Sequence, residues 1–350
     1  MEVRYRGYAR YDGYGSATFY YVRALRQLGH EVEYLPLDHM EGPDFQELAV
    51  TNPKVVDIDS PIINHSTEKG RADEIRYIVW EGMRAPHYLV ETANNSREVW
   101  TASEFCKQAF YYGGVDREIT VVPHGIEPEW FNPNIKPMFD FGDDFIFLTV
   151  MKWLNRKNMY GTIIAFGTEF RNEEDVKLMI HTTPLGEEVI KNNVPEEYRK
   201  KIILTNKYPL RFNQMGSLYT SADAFILNSY GEAWGLPLSE AGACGLPVLS
   251  LYWGGCPAFL SKYAYYVEVE RLGWFTGINE HKGILLATPP TESMLETRIQ
   301  MRQIYDYPEH AKHMGQKLMR HLRENFTWRQ AAEKMIERLE GLDGKGNADT

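Results

Sequence analysis

At 350 residues the chain is too long for one ordinary domain and suits two of roughly 150 residues each. A hydrophobic content of 43% beside 25% charged residues excludes a disordered chain and lets each half bury a core. The formal net charge of −10 argues against a broad duplex-binding face, which carries a basic footprint.

Residues 17–28 (ATFYYVRALRQL) place Phe19, Val22, Leu25 and Leu28 on overlapping helical faces, which predicts the first helix. Gly13-Tyr14-Gly15-Ser16 precedes it, as a glycine loop or as a turn with Ser16 as helix cap. Gly29 stops the helix, and residues 30–35 alternate like a strand. Short apolar runs at 54–58, 74–80, 98–101 and 119–122 read as further strands, with helices at 86–95 and 103–112 between them. This alternation predicts a mainly parallel sheet. Residues 127–144 carry three prolines and no clear period, and read as a linker.

A second α/β series follows. Strands are expected at 145–150, 176–181, 201–205, 224–228 and 247–251, with helices near 158–170, 213–221 and 236–244. Residues 309–341 read as an amphipathic helical tail broken at Phe326-Thr327-Trp328, and residues 342–350 as frayed. No stretch approaches the roughly 18 apolar residues of a membrane helix. The opening residues contain no apolar run of signal-peptide type, so the expected location is cytoplasmic. Cys106, Cys244 and Cys256 show no paired metal spacing, and their odd number fits a reducing compartment. The 22 tyrosines and 8 tryptophans read first as core, although such rings also stack on sugars and bases.

The densest signal is residues 222–249, ADAFILNSYGEAWGLPLSEAGACGLPVL. An apolar strand ends near Asn228, and a glycine loop leads into a helix whose first turn tolerates Pro237. Gly245 ends that helix, and a new strand begins after Pro247. Such a βαβ unit binds ligands at the carboxyl ends of its strands. Glu232 falls in the loop and Glu240 about one turn into the helix. Amides near Gly235 and Leu236 point out of the helix N-terminus, where the dipole favours a diphosphate. Glycine at 235 allows close backbone approach. A carboxylate has two acceptor oxygens, so Glu240 suits a ribose diol and Glu232 the hydroxyls of a sugar beyond the phosphates.

This string resembles glycosyltransferase family four, the retaining group-one glycosyltransferases, which carry two glutamates separated by seven residues. The resemblance implies an α/β GT-B fold, with two Rossmann-like domains whose parallel sheets face an interdomain cleft and a C-terminal helix crossing back. The corresponding boundaries are 1–135 for the acceptor-side domain, 136–325 for the nucleotide-sugar domain and 326–345 for the returning helix. Residues 147–158 (FLTVMKWLNRKN) resemble the segment in which a basic residue and a later lysine clamp the donor diphosphate, here Lys152 and Lys157. Lysine acts there as a point charge rather than a fork. Two cations also stabilise the leaving group's charge without a metal.

Gly13, Gly15, Lys152, Lys157, Glu232, Ala233, Trp234, Gly235, Leu236 and Glu240 are accordingly the expected donor-binding residues. Residues 99–133 resemble the end of the family's N-terminal domain. There His124-Gly125-Ile126-Glu127 stands where Asn-Gly-acid is usual, and His124 would sit at the cleft mouth. On the acceptor side His65 and Glu81 both follow strand ends, and many relatives have histidine where this chain has Trp80-Glu81. Trp80 and Arg84 would shape the acceptor pocket.

The implied reaction is metal-independent and retaining, and it uses no cofactor. A hexosyl group passes from a UDP- or GDP-sugar to a hydroxyl on a glycan, lipid, small molecule or modified nucleic acid. No carboxylate nucleophile is identifiable, so same-face attack is expected, with Glu232 positioning the sugar. Two alternatives share the fold: a sugar-nucleotide epimerase, and a non-catalytic nucleotide-sugar-binding protein. A base-modifying subtype would need Arg4, Arg6, Arg10, Arg23 and Arg26 to form a basic cluster.

Overall fold

The computed structural model describes residues 1–53, 56–172, 175–205, 207–269, 271–275, 284–288 and 293–346. The chain divides into two units: Met1–Gly125 with the chain from Asn325 onward, and Ile126–Glu324.

The first unit runs β1 (Glu2–Gly7), α1 (Gly13–Gln27), β2 (Glu31–Pro36), α2 (Gly42–Val50), β3 (Ile62–His65), β4 (Glu74–Tyr77), α3 (His87–Asn94), β5 (Glu98–Thr101), α4 (Glu104–Gly113) and β6 (Ile119–Val121). Its sheet is parallel, in the order β2-β1-β3-β4-β5-β6. The order reverses between β1 and β3, where doubly wound sheets open a ligand crevice. In β1, Val3 and Tyr5 are buried while Arg4 and Arg6 are half-buried, the alternation of a strand with two unlike faces.

The second unit runs β7 (Phe145–Val150), α5 (Met159–Glu169), β8 (Val176–His181), α6 (Pro184–Asn193), α7 (Glu196–Arg199), β9 (Ile202–Leu204), α8 (Met215–Tyr219), β10 (Ala224–Leu227), α9 (Leu236–Ala243), β11 (Val248–Leu251), α10 (Pro257–Leu260) and β12 (Tyr265–Val267). The antiparallel pair β13 (Arg271–Phe275) and β14 (Ile284–Thr288) comes next, then α11 (Ser293–Asp306) and α12 (Pro308–Asn325). The main sheet is parallel, in the order β12-β11-β10-β7-β8-β9. Read from β9, its strands come in the two-halved order of a dinucleotide-binding fold, and the switch point lies between β7 and β10. Phe147 of β7 packs against Phe166 and Phe170, fixing α5 to the sheet.

The last helix, α13 (Trp328–Gly346), completes the first unit. Trp328 stacks on Tyr20 with ring centroids 5.0 Å apart and stands edge-on to Tyr21 at 4.8 Å. Further along, Arg338 makes a bidentate pair with Glu98 of β5 at 2.8 and 2.7 Å.

Several expectations need correction. The first helix starts at Gly13, because Asp12 is extended and its Oδ1 accepts from the Gly15 amide at 3.0 Å. The cap is therefore Asp12, not Ser16, and the glycine pair lies in the first turn rather than in a preceding loop. Of the run expected as a strand at 54–58, residues 54–55 lie outside the described residues and 56–58 are irregular.

The division after Gly125 precedes the sequence boundary at 135. The proline-rich stretch packs on the second unit, where the Met138 amide donates to Ser217 O and Ser221 Oγ. Of the tail expected to fray, residues through Gly346 are helical and 347–350 lie outside the described residues.

Candidate functional site at the second switch point

After β7 the chain makes one turn of 3-10 helix, Asn155–Lys157, and then Asn158 adopts a left-handed conformation (φ 53°) before α5. Asparagine tolerates that conformation because its short amide bonds locally. Here Asn158 Nδ2 donates to Asn228 O at the end of β10, at 3.2 Å, and Oδ1 accepts from the Tyr230 hydroxyl at 2.9 Å. The Tyr230 amide in turn donates to Arg156 O at 2.8 Å. The loops after β7 and β10 are thus stitched together across the switch point.

That stitching gathers charge. Glu232, with only 7% of its surface exposed, receives Lys157 Nζ at 2.5 Å, and Arg156 Nη1 lies 3.7 Å from the same oxygen. Arg156 Nη1 also donates to Gly231 O at 2.8 Å. Two cations thus face one carboxylate. Lys152, two residues beyond β7, has no ion-pair partner among the described residues. Lys157 and Glu232, expected to contact separate parts of a ligand, hold each other in this structure.

Gly235 (φ 99°) turns the chain into α9, a conformation that favours glycine. The amides of Gly235 and Leu236 have no acceptor among the described residues. Glu240, 8% exposed, accepts a 2.7 Å hydrogen bond from the Tyr219 hydroxyl on α8. Its other oxygen has no partner among the described residues. Burial pushes this carboxyl up to about 8, against a smaller lowering by Tyr219, so it is largely protonated at neutral pH.

Trp234 is buried and stacks on Phe259 at 4.6 Å, and Ala233 is buried beside it. Their side chains are packed in the loop's own core. Apolar side chains here anchor the loop that carries Glu232.

Sequence reasoning missed three contributors. Arg156 lay within the quoted string, but a second cation beside Lys157 reads as solvated surface without the structure. Tyr219 gave no signal, since its partner is 21 positions away. Gly254-Gly255 after β11 was a legible turn dipeptide. The Gly255 amide donates to Glu232 O at 2.8 Å, and a Cβ at Gly254 would lie 2.5 Å from that oxygen.

The first switch point is built differently. His65 ends β3, 1% exposed, with Nδ1 3.1 Å from the Tyr5 hydroxyl and 3.4 Å from Thr18 Oγ1. His124 Nδ1 lies 3.2 Å from the hydroxyls of both Tyr21 and Tyr77, and its ring stacks on Tyr77 and leans on Trp328. Burial lowers His124 to about 3 and His65 well below the usual histidine range, so both rings are neutral.

Both histidines, expected near the acceptor and at the cleft mouth, have enclosed rings in the first unit. Glu81 is half-buried after β4; burial raises the Tyr14 phenol well above its usual range, and the Glu81 charge adds to that rise. Trp80 is buried, and its indole N–H donates to Arg84 O at 2.9 Å.

Gly13 has open space around its Cβ position, whereas a Cβ on Gly15 would fall within bonding distance of Arg10 O. Gly15 is therefore required by the turn itself. Arg4, Arg6 and Arg10 are paired with Glu33, Glu74 and Asp12, and Arg26 spends its donors on Val32 O, Leu48 O, Thr51 and Asn52. These arginines are engaged locally and do not make a free basic cluster.

Residues 142–271, which span the second switch point, match the family model described as Glycosyl transferases group 1. A curated D-inositol 3-phosphate glycosyltransferase of Pseudarthrobacter chlorophenolicus is 26% identical over 169 residues, 44% of this chain and 39% of that protein. The match thus spans well under half of that relative.

Among solved structures, sucrose-phosphate synthase (tll1590) from Thermosynechococcus elongatus superimposes with a TM-score of 0.69 at 14% identity, over 99% of this chain and 100% of that one. Anabaena Alr3699/HepE in complex with UDP and glucose gives 0.69 at 11%, over 97% and 100%. WaaG, a glycosyltransferase involved in lipopolysaccharide biosynthesis, gives 0.63 at 12%, over 95% and 98%. At such identities the likeness is one of fold, and the expected GT-B architecture of two parallel-sheet α/β units is the one observed.

Proposed function

We propose that the chain, whose residues 142–271 match the model of the glycosyl transferases of group 1, moves a hexosyl group from a nucleoside diphosphate sugar to an acceptor hydroxyl. The observation that carries this reading is the charge cluster at the β7–β10 switch point. Arg156 and Lys157 meet at Glu232 there, Lys152 follows β7 without an ion-pair partner among the described residues, and the amides of Gly235 and Leu236 await an acceptor. This set suits a diphosphate, which accepts from amides and neutralises fixed cations. The unpartnered oxygen of Glu240 suits a ribose hydroxyl, and Glu232 suits the hydroxyls of the sugar.

The reaction proceeds with retention and without a metal. The acceptor oxygen attacks the anomeric carbon on the face the diphosphate leaves. The carbon–oxygen bond to phosphate breaks, and the acceptor proton passes to a departing phosphate oxygen. Lys157, Arg156 and Lys152 stabilise the charge that grows there, since fixed cations act most strongly where water is excluded. Glu232 orients the sugar, and Glu81 is the acceptor-side group. The donor base is uracil or guanine; UDP is named in the complex of Anabaena HepE.

A panel of UDP-, GDP- and ADP-sugars tested by thermal shift and then by donor hydrolysis checks the reading. One donor should raise the melting midpoint, because a ligand that binds only the native state stabilises it. Lack of response to every nucleotide sugar would sink it. Anomeric NMR of the product tests retention.

A further inference from the structure

Outside the switch points, α12 combines two unusual features. Between His310 and Arg323 it carries Lys312, Lys317, Arg320 and Arg323 with no carboxylate, in a chain of net charge −10. Lys312, Lys317 and Arg320 have no acidic partner among the described residues. The opposite face of the helix is fully used: Leu318 and Leu322 pack on Gly242 of α9, and Gly315 lies against Gly245 O so closely that a Cβ would clash. The basic face is therefore held in place by a well-packed apolar one.

Next to it is a half-open groove of about 260 Å³ lined by Pro133, Gly245 and Met319 and by the exposed side chains of Lys312, Gln316 and Arg320. That is room for about eight waters at roughly 30 Å³ each. Lys312 and Arg320 lie about 12 Å apart along the helix at 1.5 Å per residue, with Gln316 midway. Their side chains are long enough to converge on one small anion, and Pro133 and Met319 offer apolar surface to a carbon skeleton.

We propose that this groove binds a small phosphorylated metabolite, its phosphate held by Lys312 and Arg320 and its polar neighbour by Gln316. Concavity favours a small ligand over a flat anionic surface. Charge favours a phosphate ester over a neutral sugar, because an unpaired cation pair in an acidic protein is complementary to a dianion. Gly245 closes α9, the helix that carries Glu240, so a ligand here touches one end of the element whose other end forms the candidate donor site.

Isothermal titration with glycerol 3-phosphate tests the proposal on wild-type protein, a Lys312→Glu/Arg320→Glu variant and a Lys157→Ala variant. Wild type and Lys157→Ala should bind one equivalent, more weakly as KCl rises. The α12 variant should lose about tenfold or more in affinity while still binding UDP. Lys312→Gln/Arg320→Gln is the milder pair should charge reversal impair folding. Equal binding by wild type and the α12 variants, or loss confined to Lys157→Ala, would overturn it. So would binding to anionic phospholipid vesicles with no response to glycerol 3-phosphate.

Discussion

The two units repeat one architectural idea with opposite chemistry. Each has a six-stranded parallel sheet whose strand order reverses once, and each places its polar residues at the reversal. In the second unit the reversal gathers Arg156, Lys157 and Glu232 with unbonded amides. In the first it gathers neutral imidazoles and phenols: His65, His124, Tyr5, Tyr21 and Tyr77. A sheet topology thus supplies a location, and the residues at the strand ends decide whether charge or neutral hydrogen bonding is placed there.

The comparison can be broken in four ways. The largest expected effect is on the neutral cluster's integrity. Trp328→Ala removes a ring stacked on Tyr20 and should cost the first unit about 3–5 kcal/mol in denaturant unfolding. A cost near zero would mean that α13 merely lies on the surface.

Next comes the charged cluster. Lys157→Ala should lower turnover by about 10²–10³-fold, the scale for losing one positioned charge donor. A fall of only twofold in steady-state assays would remove the second switch point from the chemistry.

The third test uses pH, for which the first unit's buried histidines and Glu240 of the second unit have opposite signs. Folded His124, at about 3, and His65 stay neutral where an unfolded histidine takes up a proton near 6.5. The first unit should therefore lose stability as pH falls below 6.5, by about 2 kcal/mol per ring at pH 5. His181 in the second unit, lowered to about 4 by burial, contributes the same sign.

Glu240 runs the other way. Its folded carboxyl, near 8, keeps a proton that the unfolded chain releases near 4.5, so its contribution fades as pH rises through that window. Glu240→Gln should accordingly raise the second unit's midpoint at pH 9, by roughly 2–4 °C per kcal/mol regained. It should do so much less at pH 5, and equal shifts at both pH values would refute the assignment.

The smallest effect separates the two glycines. Gly13→Ala, in open helical space, should stabilise by about 0.4–1 kcal/mol. A drop in turnover at unchanged stability would then assign Gly13 to ligand contact.

The second unit was the more legible. Its strands are buried apolar runs, and residues 145–150, 176–181 and 224–228 were readable as strands within a residue or so. The first strand escaped notice because charged residues alternate with Val3 and Tyr5, and the run reads as polar. Within the site, Glu232, Glu240 and Lys157 were visible because one segment carries the glutamates and a short one the lysine. Tyr219 was not, because its hydroxyl meets Glu240 only through folding. His65 and His124 were noticed as residue types, but a sequence does not reveal that the rings of Tyr5, Tyr14, Tyr21 and Tyr77 surround them. Burial depends on neighbours drawn from distant parts of the chain.

The chain leaves the first unit after Gly125 and returns to it only at Asn325. Tyr20 and Tyr21 emerge early from the ribosome, yet the tryptophan that covers them is made some three hundred residues later. At about 5–20 residues per second, that wait is on the order of 15–60 seconds. During it the middle unit is being made, its sequence complete only at Glu324, while the first holds an uncovered aromatic face. The part of the protein synthesised first is thus finished last, and a chaperone engaging the nascent chain has an apolar target there for most of translation.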